Sequence, residues 1–362
     1  AATVAQANSV ATATTGTVQF SGGITDSADA LGADGNLTSG YNAARADDSD
    51  VNVIINDTPT IAELNAIAGG TTGTTTAALS GNKADLVTLT TASDDAITMT
   101  VTDAVTVAQF STLDGKTSVG VILQGGVSDA AAAYASTTGT ATSGRTAIAA
   151  QDGDAALTVT DAATVAQANS VATATTGTVV YSGGITDSTA NLMNGDSSAI
   201  STGLSTAKTE DGDVVITANT AVTVAQFNLL DAATSSAIVL SGGISDTAAN
   251  LAPSGTASSG LTNSTSQDGD VAITITGTAP TVDELNKVAS LTTGAVTASI
   301  SGNKTTLAGL TTASDDAITA TVTDAVTVAE FNTLDGKTSV GVILTGGVSD
   351  AAAAYASTTG TA

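Results

Sequence analysis

Near copies of two short phrases recur along the whole chain. Relatives of SGGISDTAANLA, the form at residues 241–252, begin at Ser21, Gln124, Ser182 and Thr345. Relatives of AVTVAQFNLLDAATSS, the form at residues 221–236, begin at Ala1, Ala162 and Ala279. Self-similarity of this kind is the signature of a repeat protein, in which each unit buries its apolar face against its neighbours. The repeat therefore constrains the fold more than any other feature of the sequence.

Longer stretches of identical sequence indicate the number and the length of the repeat units. Residues 1–18 recur unchanged as residues 162–179. Residues 104–141 recur as residues 325–362 with three differences: Gln109/Glu330, Ser111/Asn332 and Gln124/Thr345. These matches predict about seven units of roughly 50 to 60 residues within residues 1–362, the last of them incomplete. The predicted units start near residues 1, 58, 104, 162, 221, 279 and 325.

Each unit is predicted to contain two strand-plus-helix halves. In DVAITITG, residues 270–277, the apolar Val271, Ile273 and Ile275 occupy alternate positions, which is the period of a half-buried strand. The next helix is predicted to begin after Thr281, with Glu284 as its capping-box partner. Because a helix separates each strand from the next one, the strands are expected to run parallel.

These halves predict an α/β repeat solenoid. It would be an elongated stack of parallel β-strands that alternate with short helices, with about 25 residues per strand-helix pair. One continuous solenoid would span residues 1–362. Stacking is expected because a unit this small and rich in alanine buries too little surface to fold alone. The alternative is a pair of doubly wound α/β domains, and the absence of a visible boundary favours the solenoid.

The composition restricts the classes of function. Eight Lys and Arg against 34 Asp and Glu give a net charge of -26, which disfavours nucleic acids and anionic membranes as partners. The chain has no Cys and no His, which excludes thiolate nucleophiles, disulfides and the commonest general base. No apolar run is long enough for a membrane span, and the first residues, which reappear inside the chain, do not resemble a signal peptide. With no phosphate-binding loop either, we expect a protein that is not an enzyme.

Acidic turns that lead into strands are the most site-like feature. Three of them contain Asp-Gly-Asp: Asp152 and Asp154, Asp211 and Asp213, and Asp268 and Asp270. Calcium prefers six to eight oxygen ligands, and such turns on neighbouring repeats would offer carboxylates to it. Aspartate and glycine are also the residues of ordinary tight turns, and the nonapeptide calcium signature with its paired glycines is missing. The turns therefore predict either plain corners or Ca²⁺ sites, and no other cofactor is expected.

The aspartate of the first phrase predicts a helix cap. It follows a Gly-Gly pair, which lets the strand turn, and it precedes a short helix whose first NH groups need acceptors. The predicted structural helix caps are Asp26, Asp129, Asp187, Asp246 and Asp350.

Threonines alternate along several predicted strands and would face outward. They are Thr98, Thr100, Thr102, Thr158, Thr160, Thr274, Thr276, Thr319, Thr321 and Thr323. In a regular stack these hydroxyls would form a flat array that orders water, which makes ice binding one hypothesis. Threonine is equally the ordinary solvent-facing residue of a strand.

The phrases VTDAATVAQAN at residues 159–169 and ISDTAANL at residues 244–251 resemble repeats of very large secreted bacterial proteins. These include the giant surface protein linked to swimming in marine cyanobacteria and long adhesins. The resemblance covers the whole chain and implies an extracellular or cell-surface structural role without catalysis. The absence of Cys and the acidity fit export into salty water.

Copies of the chain itself are the expected partners. The sequence starts and stops within a repeat, and the end of a repeat stack is an exposed strand edge unless a polar unit caps it. The leading hypothesis is a building block of a filament, sheath or surface layer, assembled through solenoid contacts. The alternative is a calcium-stiffened adhesin stalk, and a water-ordering or ice-binding surface is the third hypothesis.

Overall fold

Short parallel strands alternate with short helices along the chain. The computed structural model describes residues 1–356. Its contacts divide the chain into two compact units, Ala1–Gly183 and Gly184–Ala362.

The first unit contains helices α1 to α9 and strands β1 to β8. The helices are α1 (Val4–Ala13), α2 (Ala28–Gly32), α3 (Ser39–Asp47), α4 (Ile61–Ala68), α5 (Lys83–Leu86), α6 (Val107–Asp114), α7 (Ala131–Tyr134), α8 (Ser143–Gln151) and α9 (Val165–Ala172). The strands are β1 (Ile24–Asp26), β2 (Val53–Ile55), β3 (Thr75–Gly81), β4 (Ala96–Val101), β5 (Val121–Ile122), β6 (Val127–Asp129), β7 (Leu157–Val159) and β8 (Val179–Tyr181). A 3₁₀ turn, Ala33–Gly35, follows α2.

The second unit contains helices α10 to α18 and strands β9 to β16. The helices are α10 (Thr189–Leu192), α11 (Thr202–Glu210), α12 (Val224–Asp231), α13 (Ala248–Leu251), α14 (Ser259–Gln267), α15 (Val282–Ala289), α16 (Lys304–Leu307), α17 (Val328–Asp335) and α18 (Ala352–Ala356). The strands are β9 (Ile185–Asp187), β10 (Ile216–Ala218), β11 (Ile238–Val239), β12 (Ile244–Thr247), β13 (Ile273–Thr276), β14 (Val296–Gly302), β15 (Ala317–Val322) and β16 (Ile343–Leu344). A 3₁₀ turn, Pro253–Gly255, follows α13.

Each unit holds one five-stranded and one three-stranded parallel sheet. The strands follow chain order: β1 to β5 and β6 to β8 in the first unit, and β9 to β11 and β12 to β16 in the second. Within β13 and the residues before it, Val271, Ile273 and Ile275 are buried, as their alternation predicts, and Thr274 and Thr276 are exposed. The core is built mainly from Val, Ile, Leu and Ala side chains of this kind.

Seven helices within residues 1–356 begin where a threonine is followed three residues later by Glu or Gln. At the start of α15 the Thr281 hydroxyl accepts a hydrogen bond from the Glu284 NH, and the Glu284 carboxylate accepts one from the Thr281 NH at 2.9 Å. That bond from the Thr281 backbone is the main reason why the pKa of Glu284 lies below its ordinary value. Equivalent boxes begin α1, α4, α6, α9, α12 and α17. They satisfy NH groups that every helix start leaves unpaired.

The predicted elongated solenoid is wrong. The strands form four separate parallel sheets of three to five strands within two compact units, and not one continuous stack. Inside each unit the sheets are separated at a Gly-Gly pair. Gly125 and Gly126 lie between β5 and β6, and Gly242 and Gly243 lie between β11 and β12. The proposed division of residues 1–362 into about seven units stays a prediction, and residues 357–362 lie outside the described part.

Gly243 shows why one sheet ends and another begins at such a pair. Its φ of +77° lies in the left-handed region that favours glycine. A Cβ atom here would lie 2.6 Å from the carbonyl oxygen of Ala272, which belongs to the approach to β13. The sequence predicted a bend at Gly-Gly. It did not predict that the bend transfers the chain from one sheet to the next.

Candidate functional site

The Asp-Gly-Asp turns each connect a helix to the strand that follows it. Asp152, Asp211 and Asp268 are the C-cap residues of α8, α11 and α14. The Asp268 carboxylate accepts a hydrogen bond from the Leu240 NH at 2.8 Å, and Asp152 accepts one from the Leu123 NH. Leu240 and Leu123 directly follow β11 and β5. These two aspartates therefore hold their turns against the end of a neighbouring strand.

The two aspartates of a turn influence each other. Partial burial raises the pKa of Asp152 above its ordinary value of 3.8, and the Asp154 carboxylate nearby raises it further. The pKa of Asp268 is raised in the same way, by burial and by Asp270. Two carboxylates per turn are far fewer ligands than the six to eight oxygens that calcium takes. Within residues 1–356, no group of three or more His, Cys, Asp or Glu side chains is placed to hold a metal ion.

The aspartates predicted as helix caps lie between two helices. Oδ2 of four of them accepts a hydrogen bond from the first NH of the preceding helix, which lies 22 residues earlier. The pairs are Asp26 with Val4 at 2.9 Å, Asp129 with Val107 at 3.0 Å, Asp246 with Val224 at 3.0 Å and Asp350 with Val328 at 3.1 Å. Oδ1 of Asp187 accepts from the Ser188 NH and from the Asn191 amide. Oδ1 of each of the five also accepts from the NH of the next residue, just before the helix that follows, which is the helix that the sequence assigned to them. The bond of Oδ2 to the preceding helix is an addition that sequence reasoning did not include.

Four further aspartates complete helix starts, and sequence reasoning missed them. They are Asp57 with Ala28 at 2.7 Å, Asp103 with Lys83 at 2.7 Å, Asp161 with Ala131 at 2.6 Å and Asp324 with Lys304 at 2.7 Å. Three of the four, Asp103, Asp161 and Asp324, lie in a Thr-Asp-Ala triplet that directly follows a strand. This triplet is the sequence signal that would have identified them. We call a strand with its following helix a layer. In these terms, a carboxylate of one layer completes the helix start of an earlier layer.

The predicted threonine rows lie on the outward faces of their strands. Thr98, Thr102, Thr160, Thr274, Thr276 and Thr323 are exposed, and Thr100, Thr158, Thr319 and Thr321 are partly exposed. Across the paired strands, Thr100 is the partner of Ile122, and Thr321 is the partner of Ile343. These exposed isoleucines interrupt the hydroxyl rows, so the sheets do not present a purely threonine face.

One surface is buried in the first unit and exposed in the second, although the two sequences are nearly identical. Val127 and Tyr134 are 1% and 0% exposed, whereas their equivalents Val348 and Tyr355 are 39% and 45% exposed. The same contrast separates the buried Phe110, Val121 and Ala131 from the exposed or partly exposed Phe331, Val342 and Ala352. We call Phe331, Val342, Val348, Ala352 and Tyr355 the C-terminal edge surface.

In the first unit this surface is covered by residues 142–161, a segment that contains helix α8 and, after it, strand β7. Strand β7 pairs with β6, from Val127↔Leu157 to Asp129↔Val159. The Val127 NH donates to the Ala156 carbonyl at 2.8 Å, and the Tyr134 hydroxyl donates to the Thr158 carbonyl at 3.0 Å. No counterpart of this segment covers Val348 in the part of the chain that the structure describes.

The exposed copy keeps the local geometry of the buried one. The Tyr355 hydroxyl donates to the Val348 carbonyl at 2.9 Å, as the Tyr134 hydroxyl donates to the Val127 carbonyl at 3.0 Å. Val326 forms a parallel bridge with Val348, and Val105 forms the same bridge with Val127. The C-terminal edge surface is thus already shaped as it is where a layer covers it.

Residues 1–20 provide a second surface of this kind. Val10 is 50% exposed, whereas Val171 at the same place in the identical copy is 0% exposed. Val179 and Tyr181 are buried in β8, which pairs with β7, and their equivalents Val18 and Phe20 are partly exposed outside any strand. We call Val10, Val18 and Phe20 the N-terminal edge surface.

Comparisons with known proteins identify no relative. No protein-family model, no curated protein and no solved structure matches the chain. The helices within residues 1–356 include none that is long and apolar enough to cross a membrane. The function has to be inferred from the surfaces of the molecule itself.

Proposed function

We propose that this protein is a non-catalytic structural repeat protein that builds a filament, sheath or surface layer outside the cell. One observation carries the proposal: Val348 and Tyr355 are exposed, while their equivalents Val127 and Tyr134 are buried beneath another layer. Apolar side chains next to an unpaired strand edge favour association, because pairing satisfies the backbone and burial removes apolar surface from water.

The aspartates that connect layers support the same function. The NH of Lys83 at the start of α5 donates to Asp103, and the NH of Lys304 at the start of α16 donates to Asp324. Each of these helix starts is satisfied by a carboxylate 20 residues further along the chain. A repeat in which one layer completes another is suited to extension by further layers.

The proposed location rests on composition and on the repeat phrases. A net charge of -26 keeps chains soluble and makes cations the natural counter-partners. The resemblance of VTDAATVAQAN and ISDTAANL to repeats of giant secreted bacterial proteins favours a place at the cell surface.

Sedimentation velocity of the full chain over a concentration series tests the proposal, with negative-stain microscopy of the same samples. We expect association that grows with concentration and weakens in Val348→Asp, because the added carboxylate would be buried without a partner. Val87→Asp is the matched control, since Val87 is 45% exposed but lies outside both edge surfaces. Monomers at every concentration would count against an assembling structural protein.

A calcium-stiffened adhesin stalk is the second candidate. The observation that favours it is the placing of Asp152 beside Asp154: burial raises the pKa of Asp152, and the neighbouring Asp154 carboxylate raises it further. Binding to the native state raises the melting temperature as ligand concentration grows. The stalk hypothesis therefore predicts that Ca²⁺ raises the melting temperature of the wild type more than that of Asp152→Asn. An equal response of both chains to Ca²⁺ would remove this candidate.

A further inference from the structure

We propose that Asn194 is a modification site, at which the side-chain amide reacts with the backbone nitrogen of Gly195 and is converted without an enzyme into aspartate and isoaspartate. Asn194-Gly195 is the one Asn-Gly step in residues 1–362. The reaction takes place within a single chain and needs only water. The inference therefore goes beyond the proposed function and does not rest on it.

The loop between α10 and α11 leaves the nitrogen of Gly195 open. Gly195 is exposed, and a Cβ placed on it would meet no atom within 4 Å. Within residues 1–356, its NH donates to no hydrogen-bond acceptor. A backbone nitrogen that is neither crowded by a side chain nor held by an acceptor is free to approach the preceding side chain, and a reaction within one chain gains greatly from such proximity.

The Asn194 amide is held in a way that favours attack at Cγ. The Ala199 NH donates to Oδ1 at 3.2 Å, and Nδ2 donates to the Ser198 hydroxyl at 3.2 Å. When a nucleophile adds to Cγ, negative charge develops on Oδ1, and an NH group aimed at this oxygen stabilises that charge. The loop thus places a polarised amide carbon directly before an unhindered nitrogen.

The atoms of the reaction balance with water as the only co-reactant. Hydroxide takes the proton of the Gly195 NH, and the nitrogen forms a bond to Cγ of Asn194. The bond from Cγ to Nδ2 breaks, and the leaving nitrogen takes a proton from water and departs as ammonia. One water molecule then opens the cyclic imide at either of its carbonyls, which gives aspartate or isoaspartate.

The isoaspartate product changes the connection between the two helices. The Asn194 NH donates to the Ala199 carbonyl at 2.9 Å, and Met193 forms an antiparallel bridge with Ile200. These bonds close the loop on both sides. Isoaspartate adds one carbon to the main chain inside the closed loop, so we expect it to weaken these bonds and to lower the stability of the second unit.

A related loop of the first unit shows that asparagine is not needed for this structure. Between α7 and α8 the Ser136 NH donates to the Thr140 carbonyl at 2.8 Å, and the Ser136 hydroxyl accepts from the Thr140 NH at 3.1 Å. An antiparallel bridge closes this loop as well. Serine has no amide that could cyclise. Asn194→Ser is therefore a matched variant that should keep the fold and lose the reaction.

The site is tested by keeping the full chain in mildly alkaline buffer and following each asparagine by peptide mapping with mass spectrometry. Labelling by an isoaspartyl methyltransferase detects the isoaspartate product. We expect conversion at Asn194 at least about tenfold faster than at Asn263, because Asn263 lies within α14 and reacts only after that helix opens. Equal conversion of the two asparagines would overturn the proposal.

Two variants test the roles of the two reacting groups. Gly195→Ala should slow the conversion of Asn194 by about tenfold, because a Cβ hinders the approach of the nitrogen. Its melting temperature should not change, since the added Cβ meets no neighbour. Asn194→Ser should give no isoaspartate in the same peptide. Unchanged labelling of this peptide in Asn194→Ser, or unchanged conversion in Gly195→Ala, would refute the assignment.

A comparison with the unfolded chain tests the part that the structure plays. Because the loop is open in the folded chain, Asn194 should convert at a similar rate with and without denaturing urea. An Asn194 that converts only in urea would show that the fold protects it, and would overturn the inference. After storage, the wild type should melt at a lower temperature than stored Asn194→Ser. Equal melting of the two stored chains, with isoaspartate formed in the wild type, would contradict the expected loosening of the loop.

Discussion

The carboxylate of Asp246 accepts a hydrogen bond from the NH of Val224, 22 residues earlier in the chain, at 3.0 Å. The same side chain accepts from the Thr247 NH and from the Asn250 amide, and Asp246 is only 5% exposed. It therefore links the first turn of α12 to the start of α13. Removing the carboxylate leaves the buried Val224 NH without an acceptor, which costs more than the loss of an exposed hydrogen bond.

Asp246→Ala should lower the free energy of unfolding by roughly 2 to 4 kcal/mol, because one buried NH and two partly buried donors lose their acceptor. Urea denaturation followed by circular dichroism measures the change. Asp213→Ala is the control, since Asp213 is exposed, and it should change stability by less than about 0.5 kcal/mol. Equal effects of the two substitutions would contradict a structural role for the cross-layer cap.

Two adjacent aspartates give a sharper comparison. Asp316 is 5% exposed and accepts from the Val296 NH and the Ala313 NH, each at 2.8 Å, whereas Asp315 is exposed. Asp316→Ala should cost roughly 2 to 4 kcal/mol, and Asp315→Ala should stay within about 0.5 kcal/mol of the wild type. The same urea series decides, and a larger loss in Asp315→Ala would refute the assignment.

Local chemistry was predictable from the sequence where it depends on neighbours in the chain. The capping box of Thr281 and Glu284 and the buried alternation of Val271, Ile273 and Ile275 follow from spacing alone. The bond from the Val224 NH to Asp246 did not follow, because this donor lies 22 residues away. A local rule assigns an aspartate to the helix that directly follows it. Only the packing of layers shows that the Asp246 carboxylate also accepts a hydrogen bond from the start of the preceding helix, α12.

The Gly-Gly corner makes the third prediction. Gly243→Ala places a Cβ 2.6 Å from the Ala272 carbonyl oxygen at a φ of +77°, whereas a Cβ on Gly195 meets no atom within 4 Å. Gly243→Ala should destabilise the chain by roughly 1 to 3 kcal/mol, and Gly195→Ala should not destabilise it. Thermal melting of both variants checks this. A tolerated alanine at 243 would show that the corner does not need glycine.

The acidic turns predict a pH dependence of stability. Burial raises the pKa of Asp152 and of Asp268 in the folded chain above the ordinary 3.8. Between 3.8 and the raised values the folded state binds more protons than the unfolded state, so their contribution to stability is present below that window and lost as pH rises through it.

The double variant Asp152→Asn, Asp268→Asn lacks this loss, because a neutral amide does not ionise. Its melting temperature relative to the wild type should therefore improve as the pH rises from about 3 to about 7. The exposed Asp283→Asn is the control and should show a smaller change over the same range. A double variant that falls further behind the wild type at higher pH would reverse the assigned sign.

The edge surfaces were only half predictable. Sequence identity reveals that residues 104–135 and 325–356 are copies, and it predicts that both fold alike. It does not reveal that Val127 is covered and Val348 is not, because that depends on whether a further layer packs there. The separation into four sheets was missed for a related reason: the phrase SGGISD predicts a bend, but the partner strand on each side of the bend is set by long-range pairing.

Assembly through the exposed edge is tested most directly by sedimentation velocity of three full-length chains: the wild type, Val348→Asp and Val87→Asp. We expect concentration-dependent association in the wild type and in Val87→Asp, and its loss in Val348→Asp, with all three chains equally folded by circular dichroism. Association that is identical in Val348→Asp and the wild type would contradict the central role of the C-terminal edge surface.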